Sequence, residues 1–595
     1  MFKIPLLNHD HAAEKRYDSG LQGADSLPLK LTLRAFWYIL TPYWKSRDSL
    51  VSWLLLFLIV ALTAGAIYIA TAINKWYKTF WDTIQNYDVS GFKHELLIFA
   101  ILASIHVVVS VYKAYLRSRL AIRWRRWLTG QVMGQWLDND IYYKMQLADK
   151  KTENPDQRIS EDLSLFVNAT ISLLIGTATD LAMLGTFGFV LWDLSHSVTF
   201  TLWNGYELWL PDGYLLYLAM IYAVAGTGLT FFFGRPLVRL NFRQQRYEAD
   251  FRFSLIRVRE NAESIALYRG EPRENQYLHE RFAHVVKNYI RLIICEKRLG
   301  FFTLGYAQLA VIFPILVAAP MYFAKIITMG SIMQISSAFG RVQDSLSTII
   351  NNFSVWAAYK ADIDRLALYF DSMYASDHIV CLEPEHEGDN FRTEALNVRD
   401  PFGRELCTNL NLNLKQGDSL LIRGLSGCGK STLIRSIAGI WPFCDGRIIL
   451  PEHARTLFLS QRPYLPQGTL RNAIGYPGQG EEQGLTEHYM EELSLTGLIS
   501  SLDNDDHWSS ILSLGEQQRI AFIRALILKP EVIFLDEASS ALDEALESKA
   551  YALLRSTLPE SIIVSVGHRS TLIEKHGLLL VCVDPKHWEL KAASV

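Results

Sequence analysis

Long runs of apolar residues dominate the first half of the chain. Five of them stand between charged flanks, at Ser49–Ile73, Leu96–Tyr112, Leu163–Trp192, Gly213–Gly234 and Leu299–Ala324. The first has about 25 residues, enough for a helix to cross a hydrocarbon core of about 30 Å. Any one of these runs is also compatible with a buried helix of a soluble protein. Five in succession favour a membrane domain surrounded by a lipid bilayer.

A sixth span is predicted from a segment of different character, Ile326–Ala358. This segment is compatible with a helix but carries polar side chains along its length, among them Gln334, Arg341, Asp344 and Asn351. A helix facing lipid would not tolerate them, whereas a helix lining a water-filled cavity would. We expect six spans, because an even number returns the chain to the side on which it began. A cytosolic helix following five spans is the alternative.

The charges of the loops predict how the spans are oriented. The stretch Arg117–Arg126 and residues 235–298 are rich in arginine, whereas Asp193–Asp212 contains neither Lys nor Arg. Because basic loops stay on the cytoplasmic side, we expect the first two there and the third outside. Met1–Lys30 lacks the apolar stretch of a cleavable signal peptide. Leu31–Tyr43 is expected to form an amphipathic helix at the membrane surface.

The composition changes after about residue 370. The net charge of −3 and the mean hydropathy of +0.11 are averages over two unlike parts. Counting Lys and Arg against Asp and Glu, residues 1–370 carry +8 and residues 371–595 carry −11. The near-neutral total gives no indication of a nucleic-acid partner, and six cysteines in this length do not make a disulfide scaffold. We expect an N-terminal segment at 1–48, a transmembrane domain at 49–370, a linker at 371–400 and a soluble domain at 401–595.

The soluble part contains a phosphate-binding motif. Gly424–Ser431 matches G-x-x-x-x-G-K-[ST], after a predicted strand at Ser419–Ile422 and before a predicted helix at Thr432–Ile440. In such a loop the backbone N–H groups surround phosphates, and the helix N-terminus adds its positive dipole end. Lys430 is expected to reach the β- and γ-phosphates of ATP, and Ser431 to bind Mg²⁺. The predicted nucleotide-binding residues of this loop are Gly424, Leu425, Ser426, Gly427, Cys428, Gly429, Lys430, Ser431 and Thr432.

An apolar strand that ends in two acids follows about a hundred residues later, at Val532–Glu537. Carboxylates at the C-terminal edge of a buried parallel strand lie where phosphate loops also lie. Asp536 is expected to hold Mg²⁺, and Glu537 to polarise the attacking water. Alone, such a strand is common and mostly structural. Together with the phosphate loop it indicates an ATP hydrolase.

Between these two motifs, Leu512–Arg519 reads L-S-L-G-E-Q-Q-R and opens a predicted helix that runs to about Leu528. Here the chain resembles the ATP-binding cassette (ABC) superfamily, whose signature usually reads L-S-G-G-Q. Leu514 and Glu516 depart from that pattern, whereas Ser513 and Gly515, the phosphate-facing positions, are kept.

The resemblance implies roles for further residues. Gln461 would contact the metal and the catalytic centre, and His568 would act in hydrolysis. Asp543 would contact nucleotide from the D-loop, and Phe402 would stack on adenine. The resemblance also implies that the signature segment of one cassette completes the ATP site of another. One chain has one of each, so a homodimer is expected, with a heterodimer as the alternative.

Other segments narrow the resemblance. Asn74–Trp76, Ile122–Arg125, Asn154–Ile159 and Gly567–Leu572 are similar to two related groups: the peroxisomal subfamily D fatty-acyl transporters, and bacterial half-transporters with a BacA/SbmA-like membrane domain. This implies an all-α transmembrane domain of six helices, of the exporter-type ABC fold, fused to an α/β P-loop nucleotide-binding domain. The L-S-L-G-E form and the short N-terminus favour the bacterial group. A bacterial inner membrane, with the ATP-binding domain in the cytoplasm, is therefore expected.

The sequence thus predicts ATP-driven transport of a bulky hydrophilic solute, peptide- or cobalamin-like and directed inward. An exporter or flippase of lipid or fatty acyl-CoA is the alternative, and the apolar runs argue against a soluble ABC ATPase of repair or translation. The candidate residues of the substrate cavity are Asp180, Gln334, Arg341 and Asp344. An acid inside a membrane span is a functional candidate by default. Packing pairs between helices are the alternative for Asp180 and for Arg341 with Asp344.

Overall fold

The structure is a computed structural model, and it describes residues 27–148, 154–195, 197–201, 207–351, 353–478, 484–584 and 586–593. The chain divides into two compact units, Met1–Ala375 and Ser376–Val595. Most of the predicted N-terminal segment, residues 1–26, lies outside the described residues. Each unit has its own hydrophobic core.

The first unit is helical apart from one short hairpin. Its helices are α1 (Leu29–Trp44), α2 (Ser49–Gln85), α3 (Val89–Leu137), α4 (Ile141–Ala148), α5 (Leu163–Asp193), α6 (Tyr214–Glu260), α7 (Ala262–Tyr268), α8 (Glu271–Phe323), α9 (Met329–Asn351) and α10 (Phe353–Asp377), and its hairpin pairs β1 (Val198–Thr201) with β2 (Glu207–Leu210). Within the described residues, α2, α3, α5, α6 and α8 are long and apolar enough to cross a membrane. Each of the five apolar runs lies in one of these helices to within a residue, so these predicted spans are confirmed.

The sixth predicted span corresponds to α9. It is not among the five apolar helices, because its polar side chains lower its hydropathy. Its 23 residues reach about 35 Å as a helix, long enough to cross a hydrocarbon core. It packs against α2, α5, α6 and α8, with Ile335, Ala338 and Val342 fully buried. The sixth span stays a prediction, and this position among four apolar helices supports it.

Helix α1 covers the region expected to form an amphipathic helix. Its Ala35, Ile39 and Tyr43 recur at the four-residue spacing of one helix face and are buried. Tyr43 stacks on Trp124 of α3, with ring centroids 5.7 Å apart. Trp37 lies on the other face and is exposed. The amphipathic helix is therefore confirmed, and its location at a membrane surface stays a prediction.

The second unit combines two sheets with short helices. The strands are β3 (Glu385–His386), β4 (Phe391–Arg399), β5 (Glu405–Leu414), β6 (Ser419–Gly424), β7 (Cys444–Leu450), β8 (Thr456–Leu459), β9 (Gly468–Thr469), β10 (Asp505–Asp506), β11 (Val532–Asp536), β12 (Ile562–Val566), β13 (Leu578–Asp584) and β14 (His587–Ala592). A six-stranded sheet has the order β14-β13-β6-β12-β11-β8, and a four-stranded sheet has the order β3-β7-β4-β5. The helices are α11 (Lys430–Ile437), α12 (Leu470–Gly475), α13 (Leu485–Glu492), α14 (Trp508–Ile511), α15 (Leu514–Leu528) and α16 (Glu544–Thr557).

The six-stranded sheet brings the predicted motifs to one edge. Strands β6, β12 and β11 are adjacent and parallel, so their carboxyl ends lie side by side. The phosphate loop follows β6, the two acids end β11, and His568 follows β12. Every residue of β12 is buried, as expected of a strand covered on both faces.

The segment expected as a linker, residues 371–400, is largely ordered secondary structure. It contains the end of α10 and all of β4, and the division between the two units falls after Ala375. Strand β4 pairs with β5 and β7, and it buries Phe391, Thr393, Leu396 and Val398. The polar composition of the segment hides this alternation, because the intervening side chains face solvent.

Candidate nucleotide site

The phosphate loop connects β6 to α11 through glycines whose backbone angles few other residues adopt. Gly427 has φ 80° and Gly429 has φ 104°. A Cβ at Gly429 would also lie 2.9 Å from the Cβ of Leu406. Both positions therefore require glycine, for backbone conformation and, at Gly429, for space. These angles turn the chain sharply ahead of α11, so that backbone N–H groups at the helix start are available to an anion.

Lys430 is the first residue of α11, and its side chain folds back over the loop. It is 6 % exposed, and its Nζ donates to the carbonyl oxygens of Gly424 and Leu425, each at 3.0 Å. The ammonium group is thus held beside the phosphate loop by two acceptors of the loop itself. A phosphate oxygen entering the loop would gain a fixed positive charge.

Ser431 and Asp536 provide adjacent oxygens for a metal ion. The Ser431 hydroxyl donates to Oδ1 of Asp536 at 3.1 Å. Burial raises the pKa of Asp536, although the Ser431 hydroxyl bond opposes that shift. A buried carboxylate next to a hydroxyl fits Mg²⁺, which prefers oxygen ligands and keeps phosphate and water ligands of its own. No cluster of three or more His, Cys, Asp or Glu side chains occurs among the described residues, and the Mg²⁺ ligands Ser431, Gln461 and Asp536 stay a prediction.

Glu537 is the point on which the predicted catalytic side chains converge. Gln461 Nε2 donates to Glu537 Oε2 at 3.1 Å, and His568 Nε2 lies 3.4 Å from Glu537 Oε1. Glu537 adopts φ 52°, a left-handed conformation that costs a non-glycine residue about 1 kcal/mol or more. Its own N–H donates to Val566 O at 3.1 Å. The predicted trio is therefore brought together, with Gln461 engaged by Glu537 rather than by Ser431 and Asp536.

An open pocket of about 310 Å³ lies over the phosphate loop. Ser426, Gly427, Gly429, Lys430, Ser431, Thr432, Glu537 and His568 line it, together with Asp400, Pro401, Arg404, Leu406 and Trp441. Phe402 stands on the same loop as Asp400 and Arg404 and is 90 % exposed. Its aromatic face is free to stack on a base, and its adenine-stacking role stays a prediction.

Cys428 of the phosphate loop lies close to a second cysteine. A Cβ placed on Gly424 would be 2.9 Å from Cys428 Sγ and 2.7 Å from Cys582 Cβ. Cys582 of β13 is buried, and burial together with the neighbouring Cys428 thiol raises its pKa to about 12. Cys428 is the more exposed member of the pair.

The signature segment caps its own helix. Ser513 is the N-cap of α15, and its N–H and Oγ donate to Glu516 Oε2 at 2.9 and 2.7 Å. These bonds hold the pKa of Glu516 below its usual range. The glutamate that departs from the usual signature thus completes a reciprocal capping box. Gly515 packs beside the D-loop, where an added Cβ would lie 3.1 Å from Ala541 O.

Seven predicted nucleotide contacts do not line the phosphate-loop pocket of this chain: Gly424, Leu425, Cys428, Phe402 and three residues further along the chain. Ser513, Gly515 and Asp543 are absent from its wall. Asp543 instead caps α16, accepting from Leu546 N at 2.8 Å. The nucleotide contacts of Ser513, Gly515 and Asp543 would have to be made to another cassette, which keeps these assignments as predictions.

Two family models and several curated relatives match most of the chain. Residues 38–323 match the family model described as ABC transporter transmembrane region 2, and residues 407–540 match the model described as ABC transporter. An uncharacterized ABC transporter ATP-binding protein of Haemophilus influenzae is 35 % identical over 94 % of this chain and 93 % of its own. The chain belongs to the ABC transporter family.

Relatives from eukaryotes carry subfamily D names. ABC transporter D family member 2, chloroplastic, of Arabidopsis thaliana is 32 % identical over 94 % of this chain and 87 % of its own. The lysosomal cobalamin transporter ABCD4 of Homo sapiens is 27 % identical over 94 % and 95 %. A solved bacterial Atm1-family ABC exporter with ATP bound superposes with a TM-score of 0.68 at 17 % identity, covering 90 % of this chain and 94 % of that one. The exporter-type fold and the subfamily D relationship are therefore confirmed.

This ABC transporter is a multi-pass membrane protein whose second unit binds ATP and hydrolyses it to drive transport. Of its predicted substrate-cavity residues, Gln334 lines a pocket of the membrane unit. Asp180, Arg341 and Asp344 are not among the residues that line that pocket. Arg341 and Asp344 lie one turn apart on α9.

Sequence reasoning missed two residues that hold the catalytic loops of this ABC transporter. Gln518 is fully buried in α15, and its amide bonds to Gln461 O, Ser540 Oγ and Ala541 N. Arg569, next to His568, donates to Ser540 O and Leu542 O. Gln518 stands in the polar start of α15, Gly515–Arg519, so its polarity did not mark it as the buried member; once buried, its amide needs partners.

Proposed function

We propose that the chain is one half of a homodimeric, ATP-driven importer of a bulky hydrophilic solute, peptide- or cobalamin-like, in a bacterial inner membrane. The observation that carries the choice of a hydrophilic solute is α9. Its Ser331, Gln334 and Ser345 are buried although the helix is surrounded by four apolar helices. Polar groups at this position are stabilised by one another, by water or by a polar solute.

Homodimerisation is supported by the two halves of the ATP site. Lys430, Ser431, Glu537 and His568 share one pocket, whereas Ser513 does not line it. A second copy would present its own Ser513 to that pocket, and the first copy would do the same in return. Such a reciprocal arrangement is the isologous contact of a twofold dimer.

The nature of the solute draws support from two sides. The human relative named above is a cobalamin transporter by name. The membrane unit also has a pocket of about 680 Å³ whose wall includes Lys75, Asp193 and Gln334. Charged and amide groups in a membrane domain favour a hydrophilic cargo over a lipid, because a lipid tail would leave them without partners.

The test is uptake by proteoliposomes that contain the purified protein and ATP on the side of the ATP-binding domain. Labelled cobalamin and a labelled proline-rich peptide are the two cargoes. We expect accumulation of at least one cargo in the wild type and none in Lys430→Ala or Glu537→Gln. Equal uptake with Glu537→Gln would refute ATP-driven import. Stimulation of ATPase by lipid or acyl-CoA, and by neither cargo, would establish the exporter or flippase alternative instead.

A further inference from the structure

The membrane unit contains a second candidate site. The pocket of about 680 Å³ opens between α2, α5 and α9. Thr71 and Lys75 of α2, Thr186 and Asp193 of α5, and Gln334 of α9 line it. Its volume lies within the range of small-molecule sites, about 300–1,000 Å³. The wall also contains apolar side chains, including Val190 and Phe189.

The two charged groups of this pocket have opposite sign and lack protein partners. Lys75 lies on α2, and Asp193 is the last residue of α5. Neither side chain forms an ion pair or a hydrogen bond with any residue that the structure describes. Both side chains are exposed, so their charges are accessible to a ligand. A ligand with a carboxylate and an ammonium group would satisfy both.

Gln334 also lines the pocket, and its amide oxygen is buried. It is 6 % exposed, and its Oε1 has no hydrogen-bond partner within the described residues. Asn74 Nδ2 donates to Gln334 O at 2.9 Å, which leaves Asn74 Oδ1 as an acceptor. Gln334 must therefore present Nε2 to Asn74 Oδ1, at 3.2 Å, and leave Oε1 unpaired. A buried amide oxygen without a donor costs about 1–3 kcal/mol until a ligand N–H or water pairs with it.

The walls that present these groups are fixed to each other. At the start of α9, Gly330 N donates to Asp82 Oδ1 at 3.0 Å and Met329 N donates to Gln85 Oε1 at 3.1 Å. A Cβ at Gly330 would lie 2.1 Å from Lys78 O, so only glycine allows this approach of α9 to α2. The backbone positions of Lys75 and Gln334 are therefore held relative to each other before a ligand binds. Such preorganisation lowers the entropic cost of binding.

We propose that this pocket binds a short zwitterionic peptide with free termini. Lys75 pairs with its carboxylate, Asp193 pairs with its ammonium group, and Gln334 Oε1 accepts one of its peptide N–H groups. The apolar wall accommodates small side chains. The inference rests on the proposed import function. Of the two proposed cargo types, peptide-like and cobalamin-like, it selects the peptide. Lys75 and Asp193 become specificity-determining residues for that cargo.

The test is equilibrium binding of tritiated trialanine to the full-length protein in lipid nanodiscs, without nucleotide. Lys75→Gln and Asp193→Asn should each weaken binding by about tenfold or more, as expected for the loss of one charge-assisted bond. Competition with C-amidated and N-acetylated trialanine assigns each charge. Amidation of the peptide should weaken its binding to the wild type but should cause no additional loss of affinity in Lys75→Gln. Acetylation should likewise weaken binding to the wild type and cause no additional loss in Asp193→Asn.

Two matched controls carry the same chemical change outside the pocket wall. Lys78→Gln lies one turn further along α2, and Asp48→Asn lies at the N-cap of α2. Both should bind trialanine as the wild type does. The inference is overturned if trialanine does not bind, or if the controls lose as much affinity for it as Lys75→Gln and Asp193→Asn do. It is also overturned if amidation and acetylation weaken binding by the same factor in every variant.

Binding without nucleotide separates this inference from the proposed function. If Lys75 and Asp193 govern binding but ATP drives no uptake, the site stands and the import function is wrong. If ATP drives uptake of cobalamin or a proline-rich peptide and both variants bind trialanine normally, the import function stands and the site is wrong.

Discussion

Gln518 offers the sharpest test of how the catalytic loops are held. Its Nε2 donates to Gln461 O at 2.9 Å and to Ser540 Oγ at 3.1 Å, and its Oε1 accepts from Ala541 N at 2.9 Å. One fully buried amide therefore joins the loop of Gln461 to the D-loop. Glu537 accepts a bond from Gln461, so a displaced Gln461 loop would also release Glu537. We infer that Gln518 is a positioning residue for hydrolysis.

The Gln518→Ala variant removes three hydrogen bonds of 3.1 Å or shorter and a longer one of 3.5 Å to Glu537 O. At about 1 kcal/mol for each of the three shorter bonds, the arrangement of these loops loses about 3 kcal/mol. If the whole loss of stabilisation affects the transition state of hydrolysis, turnover drops about 100-fold. Any part of the loss that instead affects the stability of the folded protein lowers the unfolding temperature. ATP affinity should stay within about threefold, because Lys430 and the phosphate loop are untouched. Phosphate release by the reconstituted protein and binding of a fluorescent ATP analogue measure the two quantities.

Two further variants sharpen this test. Gln518→Glu keeps the size and the acceptor for Ala541 N but replaces the donor that faces Gln461 O, so it should lose turnover as Gln518→Ala does. Gln517→Ala is the matched control, because Gln517 donates only to Ser509 O and Leu512 O. It should keep at least half of wild-type turnover. Full turnover in Gln518→Ala and Gln518→Glu would refute the positioning role.

Four other outcomes are expected. Glu537→Gln should bind ATP normally and hydrolyse it at least about 100-fold more slowly; comparable turnover would exclude Glu537 as the group that polarises water. Alkylation of Cys428 should inhibit ATPase, with protection by ATP; full activity after complete labelling would contradict this. Glu516→Ala should lower the unfolding midpoint by about 2–4 °C through loss of the Ser513 capping box, and an unchanged midpoint would show that the cap contributes nothing. Burial lowers the pKa of His576 to about 4, below its unfolded value of 6.5. The contribution of the neutral His576 to the free energy of unfolding should therefore be fully present above pH 6.5 and decrease as the pH falls toward 4. The His576→Gln variant should flatten that slope, measured as unfolding midpoint against pH, and an unchanged slope would assign it to other groups.

The parts of the site that lie close together in the chain were predictable. The phosphate loop is a local structure, because its glycine conformations and the start of α11 are set within Gly424–Ser431. The strands Val532–Asp536 and Ile562–Val566 were also predictable, since a continuous apolar run bounded by polar residues is typical of a buried parallel strand. The five apolar spans followed from length and hydropathy alone.

Other parts depend on contacts between residues that are distant in the chain, and the sequence pattern does not predict such contacts. The bond from Gln461 to Glu537 joins positions 76 residues apart, and the bond from Asn74 to Gln334 joins positions 260 apart. Strand β4 was hidden inside an expected linker because its partners β5 and β7 come later in the chain. Of the four predicted cavity residues, only Gln334 lines the membrane-unit pocket, since polarity marks a residue as unusual without giving the direction in which it points.

The sequence by itself therefore determined the family, the two-part organisation and the chemistry of the phosphate loop. The family follows from the resemblance of the motifs, and the other two follow from local backbone geometry and from the cost of placing polar groups in lipid. The tertiary structure decided which distant side chains meet: Gln461 and His568 at Glu537, Gln518 beneath the D-loop, and Lys75, Asp193 and Gln334 around one pocket. Such meetings depend on how helices and strands pack, and packing is set by the whole fold rather than by any segment of it.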